Sequence, residues 1–207
     1  MAKKKAEIDS STEDKIKEAA KIVFHKKGFS ATRTRDIAEE SGINLALINY
    51  YFRSKSKLFE IIMLETMLTF FQSMVNVLNN EKTSLKDKAE IFAAQYIDLI
   101  SKNPEIPTFI VSEIRNNPKI LMDKISLKNI LLNSVFIQQF KEAVKKEEIK
   151  EHNPLHFILN MLSLVVFPFI AKPMIMYGAG LSETNFEQLM EERKKMIPIW
   201  MEFMFKK

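Results

Sequence analysis

Along most of this 207-residue chain, apolar residues recur with the three-to-four spacing of a helix turn rather than the alternation of a strand. Ile16, Ala20, Val23 and Phe24 form one such stripe, predicting a first helix from about Glu13 to Lys27 with Ser11 or Thr12 as its cap. Gly28 follows, where a left-handed residue can end a helix, and Phe29 is expected to tuck in beside Phe24. Asp36 to Ser41 reads as a helix of under two turns, capped by Thr32 or Thr34 and closed by Gly42. Asn44 then caps Leu45 to Phe52. Two short helices joined across a tight glycine turn are the helix-turn-helix signature.

The pattern continues in longer helices. Lys55 to about Asn79 carries Leu58, Ile61, Ile62, Leu64, Leu68, Phe71, Val75 and Leu78, and a helix of that length spans about 35 Å. Next come Leu85 to Ser101, a short helix from Glu105 to Asn116 opened by Pro107, and a helix over roughly Lys119 to Ile149 with a break near Asp123. Asn153 caps a further helix whose first position is Pro154, and Ser182 caps the last, from Glu183 to about Phe205. Pro168 and Pro198 should kink these two helices unless either marks an end.

Composition agrees with an all-α reading. Only 4 Gly and 7 Pro leave few turns for a sheet protein, while 46% hydrophobic residues, 16 Phe and 12 Met supply a sizeable core. With no Cys there is no disulfide or thiol chemistry. The first residues, MAKKKAEIDSS, lack the apolar stretch of a signal peptide. The most apolar run, Phe157 to Ala171, is too short to cross a bilayer, contains Pro168, and reads as a buried helix. The net charge of +5 is uneven: residues 1–60 hold 13 Lys+Arg against 9 Asp+Glu, so most of the excess accompanies the helix-turn-helix, as phosphate binding requires.

The stretch KIKEAAKIVFHKKGFSATRTRDIAEESGINLALINYYFRSKSKLF resembles the DNA-binding head of TetR-type transcriptional repressors. The likeness rests on Lys27-Gly28-Phe29, Thr34-Arg35-Asp36-Ile37-Ala38, Ser41-Gly42-Ile43, Ile48-Asn49-Tyr50-Tyr51-Phe52, Ser54-Lys55 and Leu58-Phe59. It implies an all-α, nine-helix, two-domain homodimer in the cytoplasm that binds a double-stranded DNA operator and needs no cofactor. Residues 1–11 are then a flexible basic arm, 12–57 the DNA-binding domain with its motif at 33–52, and 58–207 the effector-binding and dimerisation domain. A ligand would displace the long helix and release a palindromic operator.

Ile48 and Phe52, four apart, should face the core of the head, leaving Leu45, Ala46, Asn49 and Tyr50 toward the groove. Asn49 can read adenine, while Leu45 and Ala46 can pack on thymine methyls. By the resemblance Arg35 matches a position that reaches a base or phosphate, and Arg33 and Asn44 are further DNA-binding candidates. The resemblance places Thr34, Tyr51 and Lys55 at phosphates, which set register while bases specify. Packing on neighbouring helices is the competing role for both tyrosines.

A hydrophobic effector would find Phe70, Phe71, Met74, Phe92, Tyr96, Phe109, Phe136 and Phe140, although such stripes also make ordinary cores. Tyr96 needs a partner for its hydroxyl if buried. Phe157, Met161, Leu164, Val165 and Phe169, with Met196, Ile197, Trp200, Met201 and Met204, are candidates for the dimer interface. His152 and His156 are four apart, but Pro154 takes His152 out of the helix, which disfavours a metal site, and His25 reads as a surface residue. No residue spacing suggests catalysis. The competing function is an all-α small-molecule-binding protein or enzyme with a vestigial head; a membrane-surface protein using residues 157–177 is a further one.

Overall fold

A computed structural model describes residues 2–116, 118 and 133–205, with residues 2–10, 204 and 205 described by their backbone alone. Among these residues there are ten helices and no strand. They are α1 (Ala2–Ala31), α2 (Thr34–Ser41), α3 (Leu45–Phe52), α4 (Lys55–Leu78), α5 (Leu85–Lys102), α6 (Ile106–Asn116), α7 (Val135–Lys145), α8 (Pro154–Ile170), α9 (Lys172–Ala179) and α10 (Glu183–Phe205). The chain divides into two compact units, Met1–Thr69 and Phe70–Lys207.

In the first unit Ile16, Ala20, Val23 and Phe24 of α1 are buried with Ile37, Ile48, Phe52, Leu58 and Phe59. The rings of Phe24 and Phe59 meet edge to face at 4.9 Å. Phe29 is half-buried and packs on Phe59. This unit extends past residue 57 because Ile62, Met63 and Met67 of α4 are also buried in it. Helical backbone begins at Ala2 rather than near Glu13, in a segment free of glycine and proline and rich in good helix formers.

Gly28 has positive φ, as expected, but with φ 71° and ψ 176° it lies in the region open essentially to glycine rather than in αL. Gly42, at φ 67° and ψ 16°, is the αL residue after α2. Thr32 and Thr34 do not cap α2. Arg33 occupies the cap position, and its backbone N–H donates to Asp36 Oδ2 at 2.8 Å. The buried Thr32 instead donates its hydroxyl to the Gly28 carbonyl at 2.7 Å. Asn44 Oδ1 accepts from Leu47 N at 2.8 Å and fixes the start of α3.

The second unit is organised on α5, against which α7, α8 and α10 supply buried apolar residues, while α6 packs on α8. Ser84 and Asp87 exchange backbone and side-chain hydrogen bonds at its N-terminus. The helix expected over Lys119 to Ile149 is interrupted: Asn133 and Ser134 form a turn, Ser134 caps α7, and α7 ends at Lys145. Its predicted portion over 119–132, with the break near Asp123, lies outside the described residues.

The helix starting at Pro154 is broken near the proline expected to kink or end it. It stops at Ile170, and α9 leaves at an angle of 68°. Pro168 sits inside α8 and has no N–H to donate to the Leu164 carbonyl. That carbonyl accepts from Arg193 Nη2 of α10 at 2.7 Å instead. Among the described residues α4 is the one helix that by itself is long and apolar enough to cross a membrane, while α8 passes only together with α9 as a bent pair. The apolar residues of α4 serve both cores: Leu58, Ile62, Met63 and Met67 are buried in the first unit, Phe70, Met74, Val77 and Leu78 in the second.

Candidate functional site

On α3, Ile48 and Phe52 are buried and Leu45, Ala46, Leu47, Asn49 and Tyr50 are exposed. The two buried residues anchor the helix, so the remaining face is presented to solvent. Tyr50 is 75% exposed, although it is aromatic and could have been covered. Its ring meets the half-buried Tyr51 edge to face at 5.4 Å, and Tyr51 lies 6.3 Å from Phe52. Arg33 and Arg35 at the start of α2 are exposed as well, Thr34 is half-buried, and Asn44 at the head of α3 is exposed. Short polar, aromatic and cationic groups are thus displayed together on a helix width that suits a major groove.

Lys55 does not fit the phosphate role expected for it. Its Nζ donates to the carbonyls of Phe29 at 2.9 Å and Thr32 at 2.8 Å, and stands 4.1 Å from the centre of the Phe29 ring. An ammonium has three hydrogens, and two are spent on the loop between α1 and α2. Lys55 therefore holds that loop in position. His25 is likewise no simple surface residue: it is half-buried and shares a 2.8 Å hydrogen bond with the buried Thr66 hydroxyl.

Nothing in the residue pattern singles out Arg53. This exposed residue follows α3 with φ 61° and ψ −39°, while Ser54 N donates to Phe52 O at 2.6 Å. That is a three-residue γ-turn of the rare positive-φ kind, which carries strain. Its only sequence trace is a bulky cation squeezed between two helices with no glycine between them.

In the second unit two cavities share one wall. The outer holds about 140 Å3 and is lined by Leu85, Ala89, Phe140, Ile149, Phe157 and Met201, with Lys86, Glu148 and Glu202 at its rim. The inner holds about 20 Å3, among Met74, Val77, Phe92, Phe136, Phe157 and Met161. Of the residues expected to hold an effector, Phe140 lines the outer cavity and Met74, Phe92 and Phe136 the inner one. Phe70, Phe71, Tyr96 and Phe109 line neither of these two.

Tyr96 is wholly buried, and its hydroxyl donates to the Phe70 carbonyl at 2.6 Å. Its ring stacks on Phe92 at 4.2 Å, and burial raises its pKa far above that of an ordinary phenol. It serves the core rather than a ligand. Lys88 is 1% exposed, and burial lowers its pKa. Its three hydrogens go to Asn80 O, Thr83 O and Thr83 Oγ1.

The expected dimer residues mostly face inward. Phe157, Met161, Val165 and Phe169 follow i, i+4 spacing and are buried in their own chain, as are Ile197 and Met201. Leu164 and Trp200 are half-buried, Met196 is exposed, and the Met204 side chain lies outside the description. A different set is exposed: Leu155, Leu159, Phe167, Ile170, Met174, Tyr177, Ile199 and Phe203. His156 pairs with Glu151 at 2.9 Å. That contact and the Asn153 N–H, the larger cause, hold the Glu151 carboxyl below its ordinary pKa.

A helix-turn-helix head joined to a larger helical unit with internal apolar cavities defines a class, the one-component DNA-binding regulators. Residues 16–62 match the profile of the bacterial regulatory proteins of the tetR family. The head is therefore a DNA-binding domain of the tetR type. The chain is 28% identical over 163 residues to YttP of Bacillus subtilis, named a probable HTH-type transcriptional regulator, covering 77% of this chain and 78% of that one. It is 31% identical over 109 residues to the HTH-type transcriptional repressor NicS of Pseudomonas putida, 53% of this chain and 51% of NicS.

Among solved structures, the candidate regulator SCO4942 of Streptomyces coelicolor superposes with a TM-score of 0.66 at 16% identity, over 94% of this chain and 98% of that one. A candidate fatty acid metabolism regulator of Clostridium perfringens gives 0.62 at 17%, over 92% and 97%. At these identities the superpositions speak for the fold alone.

Proposed function

We propose that this regulator is a homodimeric repressor that binds a palindromic duplex through α3 and leaves it when a small hydrophobic molecule enters the second unit. The observation that carries the DNA half is the face of α3. Leu45, Ala46, Asn49 and Tyr50 are exposed on a helix pinned from behind by Ile48 and Phe52. Asn49 is suited to bidentate contact with adenine, and Leu45 and Ala46 to thymine methyls. Arg33, Arg35, Thr34, Tyr51 and the strained Arg53 are suited to phosphates.

Two observations favour the other half. The cavities around Phe157 are apolar, as a hydrophobic effector requires. The exposed set on α8 and α9 offers apolar surface that a second copy could cover. Acting on chromosomal DNA, the protein would work in the cytoplasm, without a cofactor or catalysis. The test is binding of the full chain to duplexes from the promoter beside its own gene, followed across salt concentration. A palindromic site with steep salt dependence supports the reading. Equal affinity for scrambled and promoter duplexes would sink it.

A further inference from the structure

The outer cavity limits the chemistry of what it can hold. Its volume of about 140 Å3 is close to that of apolar cavities of about 150 Å3 that take up benzene. Its depth is fixed by Phe157, whose ring is also a wall of the inner cavity of about 20 Å3, room for little more than one water. Only the rim is charged. Lys86 Nζ lies 3.3 Å from Glu202 Oε2, so those two charges offset each other. Glu148, exposed in the turn after α7, makes no ion pair among the described residues. The residues that line the cavity are therefore left with one net negative charge. The buried cation nearby, Lys88, has all three hydrogens on the Asn80–Thr83 loop and none for an anionic ligand.

We infer that the outer cavity binds a compact apolar amine, a single ring or a branched alkyl group of equal size bearing one cationic nitrogen. The body lies against Ala89 and Phe157, and the ammonium stays at the rim beside Glu148. An acid of the same shape meets the Glu148 charge, and the one lining cation, Lys86, is already paired with Glu202. The assignment rests on the effector reading above for its regulatory meaning, but not for binding itself.

The test uses the full-length protein and three probes of one shape, benzylamine, benzyl alcohol and benzoate, titrated calorimetrically at low salt. Benzylamine should bind about two- to fivefold tighter than the alcohol, the size of a single exposed ion pair, and benzoate weaker than both. Glu148→Gln should remove the advantage of the amine and leave the alcohol unchanged. Ala89→Phe, or Ile149→Phe if the first does not fold, should fill the cavity and abolish binding of all three. Equal affinities for the three probes, or undiminished binding in the filled variant, would overturn the assignment. Addition of benzylamine to the operator complex is read separately. Binding to the free protein without operator release removes the effector reading and leaves the cavity assignment standing, while release without cavity binding does the reverse.

Discussion

Tyr50 and Lys55 stand five residues apart in the same motif, yet their environments differ. Tyr50 projects into solvent, so Tyr50→Ala should weaken operator binding at least severalfold while leaving the melting temperature unchanged. Lys55 is bonded to two carbonyls and covers the Phe29 ring. Lys55→Met should therefore lower stability by about 1.5–3 kcal/mol, the range for hydrogen bonds to a charged group. Once refolded it should leave the salt dependence of operator binding nearly unaltered. Thermal melts beside fluorescence anisotropy at several salt concentrations check both, and a reduced salt slope for Lys55→Met would return that residue to the phosphates. Arg53 gives the converse case. Glycine there relieves the positive φ, so Arg53→Gly should raise the melting temperature while weakening DNA binding. Which residues would be buried on α3 was legible in the sequence from spacing alone. The direction of the Lys55 ammonium was not, because its partners are backbone carbonyls 26 and 23 positions earlier, which side-chain patterning cannot encode.

At the level of elements, the two turn glycines of the head should respond differently to alanine. Neither has an atom within 4 Å of an added Cβ, so the cost is conformational. Gly42 lies in αL, where alanine costs about 1–2 kcal/mol. Gly28 lies where only glycine is common, so Gly28→Ala should cost about 2–3 kcal/mol, at the upper end for such backbone strain. Equilibrium urea unfolding of both variants gives the ranking. The capping carboxylate of α2 makes the head sensitive to acid. The Arg33 N–H, first, and the Lys27 ammonium hold the Asp36 pKa below its ordinary value. The stabilisation is then complete above the unfolded aspartate pKa of about 3.9 and is lost as pH falls through the depressed folded value. Asp36→Asn should lower the melting temperature near neutrality and flatten its decline below about pH 4. Glycine positions and helix caps made most boundaries legible, and α3 matches residue for residue. Pro168 marked a kink or an end in α8, but the arginine that takes up its freed carbonyl was not legible, because it lies 29 residues past that carbonyl.

For the whole molecule, the apolar content of the C-terminal helices announced more surface than one chain hides, but composition could not say which face would remain outside. Of the α8 candidates, Phe157, Met161, Val165 and Phe169 form an i, i+4 row that α5 and α10 cover. The neighbouring row, with Leu155, Leu159, Phe167 and Ile170, stays exposed, as do Met174 and Tyr177, the latter at 94%. If a second copy covers this face, a charge placed there should prevent association while leaving each chain folded, since these side chains contribute little to their own core. Leu159→Glu and Phe167→Glu should each convert the protein to a monomer at micromolar concentration in sedimentation, with helix content retained. Operator affinity should then fall by orders of magnitude, because two linked heads bind two half-sites about 34–36 Å apart and one head binds only one. Val165→Glu is the contrasting variant: Val165 is fully buried, so it should unfold the chain rather than divide it. A folded monomer with undiminished operator affinity from either surface variant would mean that DNA binding does not depend on this face.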